Sequence, residues 1–73
     1  MTYAVWRIGD QSPFSTADTL PHAKAEARRN AGGTPHQASR YRITDDAGAT
    51  LCEAEYPGYR GGRMSWRVPQ EQP

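Results

Sequence analysis

Two alternating segments, "SRYRITD" (39–45) and "ATLCEAEY" (49–56), flank a short "DAG" turn. Such a pattern is the signature of a β-hairpin. Only one register satisfies both faces. Pairing Ile43 with Cys52 also sets Tyr41 opposite Ala54, which gives an apolar face. The same register places Arg42 against Glu53 and Arg40 against Glu55 on the other face. A slip of one residue puts Tyr41 against Glu53 and spoils both faces at once. The hairpin therefore predicts a sheet with one side to cover.

The rest of the chain supplies the cover. "TYAVWRIG" (2–9) alternates as a strand, with Ala4, Trp6 and Ile8 on one face and Tyr3, Val5 and Arg7 on the other. "GDQSP" is turn material, and "FSTA" (14–17) reads as the return arm of a hairpin. "DTLPHAKAEARRNAGG" (18–33) carries helix signals. Thr19 can cap the start, and Pro21 is tolerated in the first turn, where backbone N–H groups lack helical partners. Leu20, Ala23, Ala27 and Ala31 form a narrow apolar stripe, and Gly32–Gly33 marks the stop. Small side chains on that stripe let the helix lie close to a sheet. "RMSWRV" (63–68) alternates again, with Met64, Trp66 and Val68 directed inward.

The expected fold is α+β, in the order ββαβββ: an antiparallel sheet of about five strands with one α-helix on one face. A single domain over residues 1–69 and a frayed tail over 70–73 are expected. The expected core is Trp6, Ile8, Leu20, Ala23, Ala27, Tyr41, Ile43, Cys52, Ala54, Met64 and Trp66. At 73 residues such a core supplies only about 3–5 kcal/mol. Cys52 is the sole cysteine, which excludes an internal disulfide and suits a reducing compartment. No apolar run approaches the roughly 20 residues of a membrane span, and no signal-like stretch opens the chain. A soluble, cytoplasmic protein without membrane contact is expected.

Catalytic chemistry is sparse. Cys52 sits on an inner strand face, where cysteine serves as a small hydrophobe. His22 and His36 are distant from it in sequence and lack the spacing of a zinc site. Asp45–Asp46 precede a turn glycine and read as Asx-turn residues. No phosphate-cradling glycine motif follows a strand and opens a helix. Neither an enzyme nor a cofactor is expected.

Charge is segregated although the formal net charge is +1. Residues 22–42 carry Lys24, Arg28, Arg29, Arg40 and Arg42 against Glu26, residues 45–55 carry acids without a base, and Arg60, Arg63 and Arg67 then run unopposed. Arg40 and Arg42 have cross-strand glutamates in the proposed register, so Lys24, Arg28 and Arg29 remain as a basic ridge on the helix. "YPGYRGGRMSW" (56–66) is a hairpin loop by its Pro-Gly and Gly-Gly pairs. It also offers Tyr59, Arg60 and Arg63 for stacking on bases or gripping phosphates. Lys24, Arg28, Arg29, Tyr59, Arg60 and Arg63 are the candidate binding residues, with DNA or RNA among the possible contacts.

Three stretches carry a resemblance: "TLPHAKAEA" (19–27), "YRITDDAGATL" (41–51) and "GGRMSW" (61–66). Together they resemble small anti-CRISPR proteins of phages and mobile elements that act on type I surveillance complexes. The resemblance implies a non-enzymatic inhibitor whose helix bases dock on the RNA-holding backbone subunit of that complex and block access of target DNA. By position, Lys24 and Arg29 match the helix bases, and Arg63 matches a base associated with DNA contact. Two other readings stay open. One is a free-standing nucleic-acid-binding module, and the other a structural partner that dimerises through a Tyr3/Val5 strand edge.

Overall fold

A computed structural model describes residues 2–33, 36–59 and 62–68. The elements run β1 (Tyr3–Arg7), β2 (Ser15–Ala17), α1 (Leu20–Gly32), β3 (Ser39–Thr44), β4 (Thr50–Tyr56) and β5 (Ser65–Arg67). All strand pairs are antiparallel, in one five-stranded sheet of order β2-β1-β3-β4-β5. The α+β fold in the order ββαβββ is thus the observed one.

The β3–β4 hairpin adopts the register that its two faces demand. Ile43 pairs with Cys52, Tyr41 with Ala54, Arg42 with Glu53 and Arg40 with Glu55, and a bulge follows between Ile43 and Thr44. Asp45 Oδ1 closes the turn by accepting from the N–H groups of Ala47 and Ala49, each at 2.9 Å. Gly48 takes φ +85° there, a conformation that glycine adopts without steric cost.

Thr19 caps α1 from extended backbone, its Oγ1 accepting from the His22 N–H at 3.3 Å. Ala23, Ala27 and Ala31 are buried against the sheet, over β1, β2 and β3. With nothing beyond Cβ, they bring the helix axis near the strands. Tyr41 lies beneath, fully buried, with its hydroxyl donating to Asn30 Oδ1 at 2.8 Å and its ring edge-on to Phe14. Val5, Ile43, Cys52 and Tyr56 extend the core, and Tyr3, Leu20, Met64 and Trp66 pack around it.

Strand β1 presents the opposite face from the one its composition suggests. Val5 is 0% exposed, whereas Ile8, expected in the core, is 51% exposed. The cause is the β1–β3 register, in which Val5 pairs with Ile43 and Trp6 with Arg42. Since Ile43 faces the helix, the two-residue period sends Val5 inward and Trp6 outward. Trp6 is held on the open face of the sheet, with the Arg42 guanidinium 4.7 Å from its ring centroid and its Nε1–H donating to Thr44 Oγ1 at 2.9 Å. Val68, expected to point inward, lies past the end of β5 and is 74% exposed. Strand β1 is interior, between β2 and β3. A Tyr3/Val5 edge for dimerisation therefore does not exist. The tail expected over 70–73 lies outside the described residues.

Candidate binding surface

The helix bases do not form one uniform ridge. Lys24 is half-buried, and its Nζ lies 5.4 Å from the centroid of the Trp66 ring, bridging the helix to β5. A cation over an indole face is held there by the ring quadrupole. The Trp66 Nε1–H beneath is buried without an acceptor among the described residues. Arg29 is exposed and reaches Glu26 Oε1 at 3.6 Å, a carboxylate that His22 also approaches at 3.3 Å. Arg28 is exposed and makes no ion pair among the described residues. Of the three helix bases, Arg28 and Arg29 are thus directed to solvent, and Lys24 is committed to packing.

The β4–β5 loop is anchored by backbone contacts. Gly58, at φ +84°, lies so close to the chain before β3 that a Cβ would come within 2.9 Å of Ala38 Cα and of Gln37 C. Only glycine satisfies both the dihedral and the contact. The Tyr56 hydroxyl and the Gly62 N–H both donate to the Tyr59 carbonyl, at 3.1 and 2.9 Å. The Tyr59 side chain is left 61% exposed, and Arg63 is exposed as well. Arg60 lies outside the described residues. Among the described residues, the contact of Lys24 with Trp66, three residues after Arg63, links the helix candidates to the strand that follows the loop.

The open face of the sheet is largely self-neutralised. Glu55 receives Arg40 at 3.2 Å and Arg67 at 3.7 Å, and Glu53 stands in register between Arg42 and Arg67. Exposed pairs of this kind contribute about 0–1 kcal/mol each. Their larger effect is to leave this face without a dominant sign of charge.

Sequence reasoning passed over Arg7, which it placed on the outer side of a strand. The residue lies on the helix side of the sheet, and its Nη2 donates to Gln37 Oε1 and Ser39 Oγ, both at 3.2 Å. Beside it a groove of about 430 Å³ opens at the end of the sheet where β1 finishes and β3 begins, lined also by Arg40, Tyr56 and Pro57. Nothing in the linear sequence signals this groove, because its walls come from three separate segments.

Reactive groups are few. Cys52 is 4% exposed, and burial pushes its thiol pKa above the usual value against a smaller opposing effect of the Lys24 charge. Burial also raises the Tyr41 hydroxyl, opposed by Ser39 and Arg7. Among the described residues no group of three His, Cys, Asp or Glu side chains is placed to hold a metal ion. No helix among them is long and apolar enough to cross a membrane. The chain matches no protein-family model, no curated protein and no solved structure.

Proposed function

We propose that this protein is a non-enzymatic inhibitor that docks its basic helix face and the adjoining loop on a nucleic-acid-carrying protein complex. The observation behind this reading is the exposure of Arg28 and Arg29 side by side on α1, with Glu26 as the single acid in contact with either among the described residues. A guanidinium held on a rigid helix and free of a full partner is preorganised for a carboxylate or phosphate on another surface. The partner is the type I CRISPR surveillance complex, through its RNA-holding backbone subunit, and this part of the proposal rests on the resemblance carried by residues 19–27, 41–51 and 61–66. Docking there would occlude target DNA. The cytoplasm is the compartment this role requires.

The test is co-purification of the tagged protein from cells that carry a type I system, with and without nuclease treatment. Association that survives nuclease and is lost with Arg28→Glu or Arg29→Glu is the expected result. Reversing a charge buried at an interface costs about 2–5 kcal/mol, so either variant should lose roughly thirtyfold or more in affinity. Free duplex DNA should bind poorly near physiological salt, because the formal net charge is only +1.

One observation favours a second reading, a nucleic-acid-binding module. Tyr59 is 61% exposed on a loop that also exposes Arg63, and planar rings with guanidinium groups serve as stacking platforms for single strands. Tight, salt-sensitive binding of nucleic acid by the isolated protein, unchanged by the helix reversals, would establish this reading in place of the first.

A further inference from the structure

We propose that the groove at the end of the sheet is a nucleotide-binding site, in which Arg7 receives a phosphate and the Pro57–Tyr59 side receives the base. It uses none of the helix arginines and does not depend on the inhibitor reading.

The charge in the groove points to an anion. Arg7 is part-buried, and its hydrogen bonds go to neutral acceptors, Gln37 Oε1 and Ser39 Oγ. No carboxylate stands within ion-pair distance of it among the described residues. Bonds to neutral acceptors leave the guanidinium charge uncompensated and available to an anion. The two acids that face this region do not serve. Glu55, in the groove wall, is already gripped by Arg40 and Arg67 on the open face. Asp10, in the turn after β1, is near enough to influence Tyr41 but forms no bridge to Arg7. A guanidinium presents five N–H donors in a planar fork. Both described bonds use Nη2, so the rest of the fork can take two oxygens of a phosphate. Ser39 Oγ accepts from the fork and its side chain also bonds to Tyr41, so it orients the guanidinium.

The groove also offers apolar surface to a planar ring. Pro57 lines it, and so does Ile8, which is 51% exposed. Gly62 is wedged between the rings of Pro57 and Tyr59, since a Cβ there would come 2.6 Å from Pro57 Cγ and 3.3 Å from Tyr59 Cε2. The exposed Tyr59 ring is thus a near neighbour of Pro57, which lines the groove. Stacking of a base on an aromatic ring contributes about 1–3 kcal/mol and tolerates any base. The volume of about 430 Å³ is at the small end of the roughly 300–1,000 Å³ usual for ligand sites. One nucleotide fits that size, and the chemistry is the same for a free nucleotide and for the phosphorylated end of a single strand.

Amide NMR of the isolated, ¹⁵N-labelled protein tests the site, with adenosine 5′-monophosphate, inorganic phosphate and a short oligothymidylate with and without a 5′-phosphate as probes. The nucleotide should shift the amides of Ile8, Ser39, Arg40 and Tyr59 and bind at least roughly tenfold tighter than inorganic phosphate. Arg7→Gln should weaken it by roughly tenfold or more, and Tyr59→Ala should bring its affinity down toward that of phosphate. Should Arg7→Gln not fold, Ser39→Ala and Tyr59→Ala carry the test. Tighter binding of the nucleotide than of the phosphorylated strand, or the reverse, upholds the site and names its source. Absence of shifts at millimolar nucleotide, equal response to phosphate and nucleotide, indifference to the variants, or shifts centred on Arg28 and Arg29 would each overturn the proposal.

Discussion

Removing two methyl groups from Val5 tests the orientation of the whole first strand. Val5 is 0% exposed and pairs with Ile43, whereas Ile8 is 51% exposed at the strand's end. Each buried carbon contributes about 0.8 kcal/mol, so Val5→Ala forfeits about 1.6 kcal/mol by transfer alone. A residual cavity adds about 1 kcal/mol more, for a total of about 2–3 kcal/mol. Ile8→Ala removes three carbons that are only half-shielded and can leave no closed cavity, so about 1 kcal/mol is expected. For a core of this size, supplying about 3–5 kcal/mol, the Val5→Ala loss is about half or more of the net stability. Val5→Ala should therefore lower the melting temperature by about 10–20 °C. Urea unfolding followed by tryptophan fluorescence measures both variants, with unchanged m-values confirming that stability alone has moved. Val5→Thr, which keeps the shape but buries a hydroxyl, should also destabilise. A larger loss for Ile8→Ala than for Val5→Ala would refute the orientation and restore Trp6 and Ile8 to the core.

Other outcomes follow from single contacts. Tyr41→Phe leaves Asn30 Oδ1 without the donor it has at 2.8 Å and should cost about 1–2 kcal/mol by chemical denaturation. Gly58→Ala meets both a φ of +84° and the Ala38 backbone; a loss of about 2 kcal/mol or more is expected, against under 0.5 kcal/mol for a neutral surface change. Cys52 should react with a thiol probe far more slowly in the native protein than in urea, and fast native labelling would contradict its burial. The Cys52 and Tyr41 pKa values are both raised by burial, from 9.0 and 10.0. Above those ordinary values the unfolded chain releases protons that the native state retains, so stability should fall as pH rises from about 9, with no contribution from these groups at neutral pH. Cys52→Ala and Tyr41→Phe should each flatten that alkaline slope.

The hairpin, the helix and their order were legible because each rests on two independent constraints. In residues 39–56, apolar alternation and charge pairing choose the same register, and in residues 18–33 the cap, the alanine stripe and the glycine stop agree. Strand β1 had one constraint only, hydrophobicity, and that was misread. Tryptophan is apolar over its rings yet satisfied on an open face by a cation and a hydroxyl, as Arg42 and Thr44 provide for Trp6. The face of β1 is fixed by its neighbour β3, a relation between segments more than thirty positions apart. The candidate binding residues fared similarly. Exposure of Arg28, Arg29 and Tyr59 was legible from spacing and turn chemistry. The position of Lys24 over Trp66 required knowing that the fold brings the ring of β5 within reach of this helix side chain. Arg7 and its groove belong to the same class, being products of topology alone.

Three alanines carry the fully buried contact of α1 with the sheet. Their methyl groups admit almost no alternative, since a larger side chain would lift the helix from Tyr41 and Ile43. The outward positions Arg28 and Arg29 take no part in that contact. Selection can therefore rewrite the helix exterior while the interior stays fixed, and a change of target would demand few compensating changes beneath it. In a domain of this size, that separation would make α1, on the proposed docking role, an interchangeable address on a constant frame, and it offers a place to graft new specificities by design.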